Sequence, residues 1–341
     1  MSTTKTPISE LGEFGLIEHL TRKFQCINNS TLKGVGDDGA VIDYNGDKIV
    51  VSSDLLAEGI HFDLMYTPLK HLGYKSIVVN LSDIYAMNAR PEQVLVNVAL
   101  SSKFTVEAVS EIYSGIELAC KRYGVDLVGG DTTSSRSGLI ISVTAIGRAT
   151  KEKIVYRSGA KPGDLICVSG DLGAAFLGLQ ILEREKQIWL EHPEVQPELN
   201  KAYLLERQLK PEARKDIIEL LDELFLLPTA MLDVSDGLAS DILHLCKQSN
   251  VGCLIEEALV PIADETYHTA LEMNFDPIVC ALNGGEDYEL LFTISPEDET
   301  KITNEIAFSV IGTITEPEKG KHLKTKAGNL YQITAQGWKH F

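Results

Sequence analysis

Strand-sized apolar runs alternate with helix-period stretches along all 341 residues. That alternation restricts the chain to an α/β or α+β layered architecture, because each sheet face and each apolar helix stripe must find a partner layer. In the first half, residues 48–55, 93–100, 125–128 and 139–146 read as strands. Residues 72–87 repeat Ile77, Val78, Leu81, Ile84 and Tyr85 at helical spacing. Residues 105–123 do the same from a Thr105 cap to a Gly124 stop. Composition turns polar at 150–164, where we place a boundary between an N-terminal domain, 1–149, and a C-terminal domain, 150–341. Beyond it, strands at 165–169, 231–234, 253–255, 288–294 and 308–315 are interleaved with helices at 172–184, 200–224 (one or two, around Pro211) and 238–248. The length itself favours two domains over one.

The net charge of −18 argues against a nucleic-acid partner, which needs a basic face. No apolar stretch is long enough to span a bilayer. The first seven residues lack the apolar core of a secretion signal, and a cytoplasmic location is expected. Six cysteines without a CxxC pair suggest reduced thiols rather than a zinc site or a disulfide framework.

The acidity is organised. Six small motifs set carboxylates among glycines and hydroxyls: Gly36-Asp37-Asp38-Gly39, Ser52-Ser53-Asp54, Asn80-Leu81-Ser82-Asp83, Gly129-Gly130-Asp131-Thr132-Thr133, Asp233-Val234-Ser235-Asp236-Gly237 and Gly284-Gly285-Glu286-Asp287. Asp54 and Asp131 each follow an apolar run, so both are expected where a buried strand emerges, the usual ligand position in an open α/β sheet. Asn80 and Asp83 share a helix face. Magnesium takes a few carboxylates and completes its shell with water and phosphate oxygens, while glycines let backbone N–H groups approach a polyphosphate. A single motif of this kind is ordinarily a turn or a helix cap; six placed alike favour a metal–nucleotide site. Walker, protein-kinase and dinucleotide-binding signatures are all missing from the sequence.

In this order the motifs closely resemble the thiamine-monophosphate kinase family, within the superfamily of aminoimidazole ribonucleotide synthetase and selenophosphate synthetase. The matching stretches are Gly34-Val35-Gly36-Asp37-Asp38, SSDLLAEGIHF (52–62), NLSDIYAM (80–87), GGDTT (129–133), RSGAKPGD (157–164), DVSDGLASD (233–241), GGEDYELLFT (284–293) and the terminal Gly337-Trp338-Lys339-His340-Phe341. The resemblance implies an N-terminal domain that forms a homodimer through its sheet, and a C-terminal α/β domain that completes the active site. It implies magnesium ligands, direct or through water, at Asp37, Ser52, Ser53, Asp54, Asp83, Asp131, Asp233 and Asp236. ATP contacts follow at Tyr113, Gly130, Asp131, Arg157 and Ser235, and thiamine monophosphate contacts at His61, Glu286 and Trp338, with Phe341 a nearby aromatic alternative. No role follows for Asp38 or Asp287. Without the resemblance, His61 reads as a core histidine, Arg157 as a solvated charge and Trp338 as a terminal anchor.

The implied reaction is direct in-line transfer from ATP to thiamine monophosphate, giving thiamine diphosphate. A phosphate monoester has a second pKa of about 6 and arrives ionised, so the main barrier is repulsion between polyanions rather than want of a base. Many carboxylates and no evident base fit that chemistry. Glu286 and an aromatic wall would suit the thiazolium and the aminopyrimidine. The alternatives are another ATP-using enzyme of the superfamily and a scaffold that binds nucleotide or metal without turnover. A selenophosphate synthetase would want a catalytic Cys in a glycine-rich loop, and Cys26 has none around it.

Overall fold

The computed structural model describes residues 31–33, 36–44, 46–302 and 305–335. Cys26, Gly34, Val35, Trp338 and Phe341 lie outside the described residues.

The first sheet has six strands: β1 (Thr31–Lys33), β2 (Ala40–Tyr44), β3 (Asp47–Ala57), β4 (Arg90–Leu100), β5 (Asp126–Ser134) and β6 (Ile140–Thr150), in the order β1-β2-β3-β6-β4-β5. Only the β4–β5 pair is parallel. One face is covered by α1 (Leu69–Ala86) and α2 (Val106–Tyr123). Alternation along the strands sends Val50, Val94, Val96, Val98, Ile141, Val143 and Ala145 into that layer, each at most 3% exposed. Thr105 caps α2 through Ala108 N–H, and Gly124 ends it in the left-handed region, as the sequence pattern predicts. Helix α1 is apolar nearly all round and is accordingly buried along almost its whole length. It crosses α2 so closely that a Cβ on Gly73 would meet the Ile112 carbonyl oxygen at 1.9 Å, and one on Gly115 the Lys70 carbonyl oxygen at 1.9 Å.

The second sheet has seven strands: β7 (Leu165–Ser169), β8 (Ala230–Asp233), β9 (Gly252–Glu256), β10 (Leu290–Ile294), β11 (Phe308–Thr315), β12 (Lys321–Lys324) and β13 (Leu330–Gln332), ordered β13-β12-β9-β11-β7-β10-β8. Its pairs are antiparallel except β9–β12. Around it lie α3 (Ala174–Glu191), α4 (Ala202–Leu209), α5 (Lys215–Glu223), α6 (Leu238–Ser249), α7 (Asp264–Glu272) and α8 (Pro277–Asn283). The expected 200–224 stretch is thus two helices, while α7, α8, β12 and β13 carry too short a pattern to stand out in the sequence.

The fold class is α/β with two sheet-and-helix units, and mostly antiparallel pairing makes it α+β in detail. Two expectations change with it. Asp54 lies inside β3 and Asp131 inside β5, not at strand ends. The rule that puts ligands at the carboxyl ends of parallel strands therefore does not locate the site; the junction of the two halves along α1 does.

Candidate functional site

Between the halves opens a cleft of about 1050 Å³, lined from both sides. Helix α1 lies beside it: Val79 and Asp83 line the cleft, while Ser82 holds the lining Asp233 and Lys75 the lining Glu286. Asp83 follows Lys75 by eight positions, about 12 Å at the 1.5 Å rise of a helix.

At the Asp83 end, one oxygen each of Asp38, Asp83 and Asp233 lies within 4.8 Å of the others. Three elements bring them together: the turn before β2, helix α1 and the end of β8. Ser52 Oγ donates to Asp83, and Ser82 Oγ donates to Asp233 Oδ2 at 2.6 Å. Asn80 accepts the Asp54 N–H at 2.9 Å, so Asn80 and Asp83 both serve β3 from one helix face. Asp233 Oδ1 is buried with no hydrogen-bond partner. Burial, then the neighbouring Asp54, Asp233 and Asp38 charges, pushes the Asp83 carboxyl well above the usual range. Burial and Asp38 push Asp233 up to about 7. Buried carboxylates held this close repel one another, and an added cation would relieve both the repulsion and the orphaned oxygen.

Arg157 grips Asp38 with two hydrogen bonds, Nε to Oδ2 at 2.7 Å and Nη2 to Oδ1 at 2.6 Å, and its N–H donates to Asp37 Oδ1 at 3.2 Å. It is no solvated surface charge. Ser235 and Asp236 line the same cleft. Asp236 does not cap α6, whose N-terminus has no side-chain capping bond.

Toward Lys75 the wall is organic: Ile60, Phe62 and Tyr66 from the first half, and Phe176 and Leu179 from α3, with Tyr288 between this wall and the Asp54, Asp83 and Asp233 carboxylates. Tyr66 donates to Glu183 at 2.6 Å, and Lys186 holds Asp63 at 2.7 Å across the junction. His61 lines the cleft with Nδ1 accepting the Ala57 N–H at 3.1 Å. Glu286 sits on a loop with Gly285, Glu286 and Tyr288 all at positive φ.

The cleft therefore gathers Asp37, Ser52, Ser53, Asp54, His61, Asp83, Arg157, Asp233, Ser235, Asp236 and Glu286. Ser53 stands at its rim, bonded to the Val143 carbonyl and to Thr144. Three residues fall elsewhere. Gly130 and Asp131 belong to β5, exposed along its whole length. Asp131 is in register with Asn97, Ser142 and Leu55 across three strand spacings, roughly 14 Å. Strand alternation puts Leu55 on the opposite face from Ser52 and Asp54, and Asp131 shares the face of Leu55. Tyr113 lines a separate, smaller hollow with Leu100, Phe104, Thr105, Val106 and Val109. Trp338 lies outside the described residues.

Sequence reasoning missed several contributors. Asp38 carried no role, yet it belongs to the carboxylate trio. Ser82 was only one member of a motif, and Lys75, Phe176, Glu183, Lys186 and Gln208 went unremarked. Lys75 did leave a signal, being a charge set among Leu72, Tyr74, Ile77 and Val78. The α3 residues left none, since Phe176, Leu179 and Glu183 have the spacing of any amphipathic helix.

Comparison with known proteins places the fold and the chain in a family. The model for the AIR synthase related protein N-terminal domain matches residues 36–149, and that for the C-terminal domain matches 161–324. The thiamine-monophosphate kinase of Aquifex aeolicus (strain VF5) is 34% identical over 334 residues, covering 98% of this chain and 99% of the relative. That of Bacillus subtilis (strain 168) is 34% identical over 339 residues, covering 97% and 100%. A solved structure of AaThiL complexed with AMPPCP and TMP superposes with a TM-score of 0.85 at 32% identity, covering 99% of this chain and all of that one. The hydrogenase maturation protein HypE, at 18% identity and a TM-score of 0.70, shares the fold. With cleft, motif order and near-complete coverage in agreement, the chain belongs to the thiamine-monophosphate kinase family.

Proposed function

We propose that this chain transfers the γ-phosphoryl group of ATP to the phosphate of thiamine monophosphate, producing thiamine diphosphate and ADP. The observation that carries the reading is the cleft beside α1, with a carboxylate trio at the Asp83 end and an organic wall toward Lys75, those two α1 residues being a helix rise of about 12 Å apart. A molecule with an aromatic head and a phosphate tail fits that span, and AaThiL, which is similar over the full chain, is complexed with AMPPCP and TMP.

The unpartnered Asp233 Oδ1 and the convergent Asp38, Asp83 and Asp233 oxygens fit magnesium. Asp83 and Asp233 would hold it, with Asp37, Ser52, Asp54 and Asp236 placed to add direct or water-mediated ligands, whereas the Ser53 hydroxyl would lie with Asp131 on the opposite face of the sheet. Bound magnesium supplies the charge that lets two polyanions approach. The chain's own residues do the rest. Arg157 presents a cation beside the phosphates, and Ser235 offers a hydroxyl there. Phe176, Leu179 and Tyr66 exclude water from the acceptor's rings, and His61 and Glu286 orient them.

Asp131 cannot share an ion with Asp83 of the same chain if the sheet keeps its register. We therefore propose a homodimer through the uncovered face of the first sheet, which carries Leu55 at 53% exposure and adjoins exposed Leu127 and Val128. There Gly130, Asp131 and Tyr113 would meet the ATP held in the cleft of the other copy. On this reading residues 1–149 supply metal, nucleotide and dimer contacts, residues 150–341 complete the cleft, and Trp338 or Phe341 is an acceptor contact. A cytoplasmic site of action follows from the substrates.

The test is chemical. Purified protein with ATP and magnesium is given thiamine or thiamine monophosphate, and products are separated by chromatography. Thiamine diphosphate formed only from the monophosphate, with stoichiometric ADP, is expected. A free hydroxyl would need a positioned base, so efficient phosphorylation of thiamine refutes the assignment.

A further inference from the structure

Lys75 has no part in the assignments above, yet it is a charged residue on the inner helix of the fold with its side chain 4% exposed. Its Nζ lies 3.1 Å from each carboxylate oxygen of Glu286, and it donates to the Gln208 carbonyl at 2.9 Å. Gln208 in turn donates its amide to Glu286 Oε2 at 2.7 Å. Lys75 belongs to the first half of the chain; Gln208 and Glu286 belong to the second.

A buried ion pair is weak as a stabiliser, since well-packed apolar residues of similar volume serve as well or better. The backbone of the Glu286 loop is already held by other bonds. Glu286 N–H donates to the Ser235 carbonyl at 2.7 Å, Tyr288 N–H to that of Val234 at 2.9 Å, and Gly173 N–H donates to Asp287 at 2.8 Å. What Lys75 adds is control of the Glu286 side chain. Resting on the function proposed above, we propose that Lys75 is a positioning residue for substrate choice. It offsets the charge of Glu286 and turns the carboxylate into a directed hydrogen-bond acceptor for the exocyclic amine of the acceptor's aminopyrimidine.

The acceptor sites can be counted. A carboxylate has about four lone-pair sites. Oε2 takes hydrogen bonds from Lys75 and Gln208, whereas Oε1 meets the Lys75 ammonium as an ion pair at 3.1 Å. The remaining site belongs to Oε1, on a side chain that is 28% exposed and lines the cleft. With its charge already met by an ammonium, Glu286 has little left to offer a bare cation. It has one acceptor position to offer an N–H donor. A site built around such a bond rejects an analogue without the donor far more strongly than an apolar pocket rejects a change of size.

The experiment uses the full chain and measures steady-state kinetics with thiamine monophosphate and with its 4-oxo analogue, in which oxygen replaces the exocyclic amine. Wild type should prefer the amine by about tenfold or more in kcat/KM. Lys75→Met leaves Glu286 charged and unpaired; it should raise the acceptor KM about tenfold or more, leave the ATP KM unchanged and lose the preference. The double variant Lys75→Met with Glu286→Gln restores a neutral pair whose amide oxygen still accepts. It should recover most of the acceptor KM and the preference, and it is the variant to use if Lys75→Met alone does not fold. Equal use of both acceptors by wild type overturns the inference. So does a Lys75→Met chain that melts lower while its acceptor KM and preference stay as in wild type. Failure of the double variant to recover counts the same way. A wild type that phosphorylates neither acceptor overturns the function beneath the inference, and shows before any variant is made.

Discussion

The chain carries its acidic glycine motifs in two opposite settings. In the cleft, Asp38, Asp83 and Asp233 are buried or nearly so, and each is tied to a partner from a distant part of the sequence: Arg157, Ser52 and Ser82. On β5, Asp131 sits in a strand exposed on both faces, beside a bare apolar pair, Leu127 and Val128. An open, apolar edge strand invites pairing or needs cover. One region is finished within a single chain; the other presents Gly130 and Asp131 on a surface that nothing among the described residues covers. The difference teaches that a motif of ligand type says little about where its ligand lies until the face it occupies is known.

The largest expected effect tests the finished region. Asp83→Asn and Asp233→Asn should each lower kcat by about 10³-fold, since a metal contributes several kcal/mol and each 1.36 kcal/mol is tenfold. Each should also abolish the rise in melting temperature that magnesium gives wild type. Retention of both the rate and the magnesium response would break the carboxylate assignment. The next test joins the two regions. Asp83→Asn and Asp131→Asn chains, each inactive alone, are coexpressed with different tags. If the cleft of one copy meets Asp131 of the other, random pairing restores about a quarter of wild-type activity. No recovery, with dimers present, would mean that the regions serve separate ends. The smallest effect sharpens the contrast. Tyr113→Ala should raise the ATP KM by about tenfold, the scale of one lost base–aromatic stack, with the acceptor KM unchanged. A change in the acceptor KM instead would place the hollow with the other substrate.

The first-half helices were legible because their signals are local. Thr105 and Gly124 bracket α2 by cap and stop, and the apolar spacing of α1 needs no distant partner. The carboxylate motifs were legible as candidates for the same reason, and the cleft gathers most of them. Ambiguity began wherever a residue's meaning depends on a partner far along the chain. Asp38 needed Arg157, 119 residues on, before its place was visible. Lys75 needed Glu286, 211 residues on. Strand length mattered too: the apolar run stops at Val128, but β5 continues to Ser134 because pairing with β4 carries the polar GGDTT stretch in as strand.

Composition, periodicity and six short motifs thus determined the fold class and the absence of a bilayer-spanning stretch, and they pointed to the hard-cation, polyphosphate chemistry proposed for the site. These follow from residue type and spacing, which act over a turn of helix or a few residues of strand. Tertiary structure alone decided which carboxylates converge, which face of the sheet Asp131 occupies and that a buried lysine neutralises Glu286. Those are matters of strand order and packing between halves, and the pairing of residues 100 or 200 positions apart leaves no periodic trace in a single sequence.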